Sequence, residues 1–245
     1  MLILSSCGQK SNRHNDMHSH ENERIDDVLL KIPVILSNSL ENQRREFERI
    51  VFNAQKNVQE FAGQHDWKHL TTEIFIDSVI ICASKQEFDE TVKEFLKMDL
   101  ATVLPKFFSA CLENRTLISV SPNVYAALYP EGIEDKSFEK LLTHEISHRL
   151  HIRVLDGNED AMGPIWFFEG FAIYAANQFS NSKIKLSENE IWEIIENAER
   201  GSYEKYAFVF RHFKNKTSLN ELVKRAGEDN FIVWLKSLSE SCKIN

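Results

Sequence analysis

Between Ser39 and Gly63 the apolar positions Phe47, Ile50, Val51, Ala54, Val58 and Phe61 recur at spacings of three and four. That period lays them along one stripe of an amphipathic helix resting on an apolar surface. The pattern then changes. Residues Thr72–Ala83 (TEIFIDSVIICA) are rich in β-branched and aromatic side chains and predict one or two short strands. Ser84 followed by Glu87 makes a capping box that starts a helix running to Lys97. A second strand signal, Thr116–Ser121 (TLISVS), ends at Pro122-Asn123. Beyond Ser137 nearly everything reads as helix. Phe138, Leu141, Leu142 and Leu150 mark one helix, the loop Asp156–Asp160 breaks it, and Gly163-Pro164 opens the next with proline in its first turn. Ser187 and Glu190 form another capping box, and further helices are expected near 203–215, 218–226 and 230–240. The fold class is therefore α+β: a small mixed sheet in the first half, then a mostly helical half. Residues 1–24 read as a tail and linker and 25–245 as one domain, with an α+β part at 25–135 and a helical part at 136–245.

Composition narrows the functions. With 42% hydrophobic and 27% charged residues the chain is ordinary globular material, not a disordered one. The net charge of −8, with no Lys/Arg-rich stretch to offset it, argues against a nucleic-acid partner. No apolar run reaches the ~18–20 residues of a membrane span. None of the four cysteines (Cys7, Cys82, Cys111, Cys242) has CxxC spacing, so neither a cysteine zinc site nor a redox motif is supported. The stretch Leu4-Ser5-Ser6-Cys7-Gly8 resembles a bacterial lipobox, and the polar Gly8–Glu23 that follows resembles the tether of such proteins. That resemblance implies export and lipid anchoring to a membrane through Cys7. It departs from the pattern in that Met1–Ser6 hold no Lys or Arg and little apolar length for a signal peptide; the alternative is a cytoplasmic protein with a frayed tail. His14, His18 and His20 in the tail read as solvated linker.

The chemistry is concentrated in His144-Glu145-Ile146-Ser147-His148, an HExxH sequence inside a helical stretch. Residues four apart lie one above the other on a helix, so both imidazoles can reach one ion. Glu145 follows His144 by about 100° of rotation, which sets its carboxylate beside the ion as a base rather than on it as a ligand. Neutral imidazoles suit Zn²⁺, and a catalytic zinc takes three protein ligands and keeps one position open. The metzincin pattern does not supply the third, because Val154 and His151 stand where its His and Gly belong. Glu169 lies in the apolar run Trp166-Phe167-Phe168-Glu169-Gly170-Phe171-Ala172, where an unpaired carboxylate is costly and a metal ion is the natural partner.

HExxH followed by W-x-x-E-G-x-A resembles the gluzincins, the metallopeptidase clan of the thermolysin and membrane-alanyl aminopeptidase families, and most of all their small peptidase MA-like domains. The segment Phe138–Phe179 resembles their active-site core. The resemblance implies a zincin-like fold with the metal site on two helices, one catalytic Zn²⁺, ligands His144, His148 and Glu169, and Glu145 as general base. Tyr203-Glu204-Lys205-Tyr206-Ala207 resembles the aminopeptidase segment Y-E-K-G-A, whose tyrosine supports the oxyanion. Tyr203 falls on that position, while Tyr206 replaces the glycine, so either ring could serve. The strand Thr116–Ser121 takes the place of the edge strand that binds substrate in the family.

The departures matter. No G-x-M-E-N segment is present, so exopeptidase activity is not implied. Ile173 and Ala176 stand where the family places acids behind its histidines, leaving Asn177 as the candidate substitute. Two functions follow from the residues. One is a zinc-dependent peptidase acting on a peptide or protein through a metal-activated water. The other is a zinc-stabilised, non-catalytic binding module, which leaves the retained Glu145 and the want of a fourth ligand without a reason. His151 reads as a core or surface residue. Oligomeric state and substrate preference are not encoded in any motif.

Overall fold

A computed structural model describes residues 32–241; the Cys7 tail with His14, His18 and His20 lies outside them, as does Cys242. In chain order the elements are β1 (Val34–Leu36), α1 (Arg44–Gln64), β2 (Ser78–Cys82), α2 (Lys85–Phe95), β3 (Ala110–Glu113), β4 (Thr116–Val120) and α3 (Pro122–Leu128). Then come only helices: α4 (Ser137–Val154), α5 (Ile165–Ala175), α6 (Glu188–Glu196), α7 (Tyr203–Lys214), α8 (Leu219–Arg225) and α9 (Phe231–Ser241). The sheet order is β1-β2-β4-β3, with β1, β2 and β4 parallel and β3 antiparallel to β4. The fold is α+β with a small mixed sheet. Among the described residues no helix is long and apolar enough to cross a membrane.

The long periodic segments fold as the pattern predicts. Phe47, Val51, Ala54, Val58 and Phe61 are buried along α1, which packs against α4. At Ser187 both bonds of the capping box form. The box at Ser84 forms only by half: Ser84 accepts from the Glu87 N–H, but the Glu87 carboxylate turns to the Ala83 N–H and the Ser37 hydroxyl instead.

Two expectations gain detail, at 72–83 and at Pro122, and two need correction, at Pro164 and at the edge of the sheet. Only Ser78–Cys82 of the segment 72–83 is a strand, because side chains take the carbonyls before it. Arg153 donates to Leu70, Glu73 and Ile74, and Arg115 also donates to Ile74. Pro164 is the N-cap of α5, at φ −70° and ψ 161°, rather than a residue of its first turn. Pro122 does not merely end a strand; it occupies the first turn of α3. Most consequentially, β4 is not an edge. It is paired on both sides, and its Leu117–Val120 stretch is buried, as an inner strand requires. The edge belongs to β3, joined to β4 by a two-residue turn in which Asn114 and Arg115 are both left-handed (φ 45° and 63°), the conformation that matches hairpin twist. A bidentate pair with Asp77 (2.9 and 2.8 Å) holds Arg115 there.

Candidate metal centre

Helix α4 is buried on nearly all sides, between α1, α5 and the edge strand β3. Its sequence lacks a clear apolar face for that reason: Leu142, Ile146 and Leu150 pack into the core while His144, Ser147 and His151 are buried as well. Ser147 and Thr143 settle their hydroxyls on backbone carbonyls one turn back. Helix α5 is apolar all round apart from Glu169, whose side chain is 4% exposed. Gly170 beside it explains how α5 meets α7 so closely: a Cβ there would lie 2.9 Å from the Phe210 Cβ.

These two helices bring three ligand atoms together. His144 Nε2 is 3.1 Å from Glu169 Oε2 and 3.3 Å from His148 Nε2, and His148 Nε2 is 3.9 Å from the same carboxylate oxygen. Donors about 2.0–2.1 Å from a tetrahedrally coordinated ion stand roughly 3.3 Å apart, so the observed spacings bracket what a cation requires. His144, His148 and Glu169 thus form a buried group that could hold a metal ion.

The protonation states agree with that use. Burial pushes the Glu169 carboxyl up, but the bond from His144 and the positive charges of His144, His148 and Arg200 outweigh it and hold it at about 2. Burial, helped by the His144 charge, pushes His148 down to about 4. For His144 burial acts against a proton and is outweighed by Glu169, so its imidazole is raised above its ordinary value. The shared His144–Glu169 proton is what a cation would displace.

The Nδ1 of His144 faces Gln178 Oε1 at 3.0 Å. Because that oxygen only accepts, Nδ1 carries the proton and Nε2 is aimed at the cluster. This corrects the expectation at Asn177: the orienting residue is its neighbour. Asn177 and Phe179, at φ 51° and 53°, flank Gln178 in the left-handed region, a conformation that is costly for phenylalanine. Three bonds hold the segment. The Phe179 N–H donates to Glu134 (3.0 Å), which Lys140 also grips (2.8 Å), and Arg211 donates to the carbonyls of Gln178 and Phe179. The sequence signal for Gln178 is faint: an amide following an apolar helix.

Glu145 is half-buried, and burial, with the nearby Glu169 charge, raises its carboxyl to about 7, against the opposing pull of His144 and Arg200. Of the two tyrosines, Tyr203 faces the cluster, its ring stacked near that of His144 (5.8 Å, 21°). Burial holds its phenol protonated well above the ordinary range. Tyr206 lies behind, its hydroxyl accepting from the Gly201 N–H and donating to the Glu199 carbonyl. His151 is buried and stacked on Phe171 at 4.2 Å, and neither ring nitrogen has a hydrogen-bond partner among the described residues. It is a core residue. Arg200, which no motif singled out, pairs with Glu169 Oε1 at 2.6 Å.

Across the site, β3 presents Cys111. Its thiol is raised to about 12 by burial first and by the Glu145 carboxylate second, and β3 packs against α4, the helix that carries Glu145. Cys82 and Cys111 are both free thiols. No protein family, curated protein or solved structure matches the chain.

Proposed function

We propose that the protein is a zinc-dependent peptidase of gluzincin type, with a zincin-like centre on α4 and α5. The observation that carries the reading is the convergence of His144, His148 and Glu169 at ligand spacing with Glu145 next to them in the chain. Two imidazoles and one carboxylate are a donor set that zinc accepts at hydrolytic sites, and three ligands leave a position for water. A purely structural zinc takes four protein ligands, whereas the group among the described residues comprises three.

When bound there, Zn²⁺ supplies Lewis acidity toward a carbonyl oxygen and brings the pKa of water down to about 7. The chain supplies the rest. Glu145, with its carboxyl raised by burial, is matched to take a proton from water and return it to a departing amine near neutral pH. Tyr203 keeps its phenol proton and offers it to the oxygen on which negative charge develops. Gln178 holds the His144 ring in the tautomer that points Nε2 inward. The open edge of β3 offers backbone hydrogen bonds to an extended peptide, which favours tolerance of sequence.

The test is elemental analysis together with incubation on denatured casein. The purified protein is expected to carry close to one zinc per chain and to cleave casein, and Glu169→Ala should lose most of the metal. A protein that neither holds nor takes up zinc ends the proposal. One that binds zinc yet leaves casein intact under all conditions favours a binding module.

A further inference from the structure

We infer that Arg200 is a positioning residue of this centre, fixing Glu169 and Tyr203 together through one guanidinium; the inference rests on the peptidase reading. The two oxygens of Glu169 have separate occupations: Oε2 faces the histidines, while Oε1 is held by Arg200 Nη1. A carboxylate without that restraint turns about its last torsion and can present either oxygen or both. The same Nη1 donates to the Tyr203 hydroxyl. With its lone pair engaged by a cationic donor, the phenol turns its own O–H to Glu169, so that arginine, tyrosine and carboxylate close one network, and hydrogen bonding to a charge polarises the phenol into a better donor.

Arg200 is placed for this task. It lies in the loop between α6 and α7, and Tyr206 clamps that loop on both sides of it through Glu199 and Gly201. The second tyrosine of the Y-E-K-Y segment thus holds the arginine, and the first receives its bond. Arg200 itself is 56% exposed on its side chain, against 4% for Glu169, so the pair spans the mouth of the site and its floor. A lysine in its place also has donors for two partners on one nitrogen, but on a flexible stem and as a compact, strongly hydrated charge, so it holds the pair less firmly than the planar guanidinium.

Arg200→Gln, Arg200→Lys, Tyr203→Phe and the Arg200→Gln/Tyr203→Phe double variant should be compared in two assays. In the first, cobalt affinity is measured by chelator competition. Arg200→Gln is expected to weaken it about tenfold, the scale of lost outer hydrogen bonds at a metal site, and Arg200→Lys to recover part of that. In the second, peptide turnover should drop roughly 10²-fold in kcat with KM little changed, and the double variant should be no worse than the worse single one. Tighter cobalt binding by Arg200→Gln would mean that the arginine competes with the ion, and it overturns the inference, as do additive losses in the double variant. If the wild-type chain binds cobalt and cleaves peptide while Arg200→Gln matches it in both assays, the inference alone falls. A wild type that takes up no cobalt removes the peptidase reading and the inference with it.

Discussion

Glu145 and His151 occupy the same helix, the first half-buried and the second fully buried, yet burial serves them in opposite ways. For Glu145, loss of hydration and nearby Glu169 lift the carboxyl toward 7, which suits a base. Glu145→Gln keeps the side-chain shape and removes the base. Zinc content and melting temperature should stay near wild type while turnover falls by about 10²–10⁴-fold, and loss of the metal in that variant would place Glu145 among the ligands instead. For His151, burial pushes the imidazole down to about 3, from an ordinary value of 6.5. A group depressed in the folded state binds its proton preferentially when unfolded. Stability is therefore intact above about pH 6.5 and is lost as pH falls from there toward 3, by on the order of a few kcal/mol. His151→Leu should flatten that acid limb in melting curves taken from pH 7 to pH 4. An unchanged limb would show that other groups carry it.

At the scale of elements, the edge strand packs on α4, α5 crosses closely against α7, and both arrangements border the ligand group. The Ser109 carbonyl accepts from the Val120 N–H, so by the alternation of an antiparallel ladder the backbone groups of Ala110 and Leu112 face the open edge. Leu112→Pro removes one outward N–H without touching the pairing to β4. Relative to Leu112→Ala, it should lower kcat/KM about tenfold, the worth of one good hydrogen bond; equal values would mean that peptides do not bind along β3. The periodic helices and both motifs are legible in the sequence alone, because 3.6-residue spacing and ligand spacing are local. The strands β1 and β3 are not. Each is only three or four residues long, and the β3 hairpin turns on Asn114-Arg115 rather than on a glycine, held by an aspartate 37 residues away from the turn's first residue. Gln178 and Arg200 are hidden for the same reason: their roles are set by partners on other elements, and spacing along the chain carries no trace of them.

For the whole molecule, an ion shared by α4 and α5 would tie together the two helices through the middle of the core. Binding to the folded state alone adds about 2.7 kcal/mol at a hundredfold excess over Kd, which for a chain of this size corresponds to roughly 5–10 °C in Tm. Chelation should lower the melting temperature by that much and added zinc should restore it; a Tm indifferent to both would mean that no ion is bound. The segment around Gln178 has a bearing on how such a site comes into being. The tautomer of His144 is settled only when Gln178 is in place, and Gln178 is held from Glu134 ahead of α4 and from Arg211 on α7. Without those two holds the His144 imidazole would exchange freely between tautomers. The donor set is therefore complete only in the assembled fold, because the residue that aims the His144 nitrogen is itself held by two elements far apart in the chain.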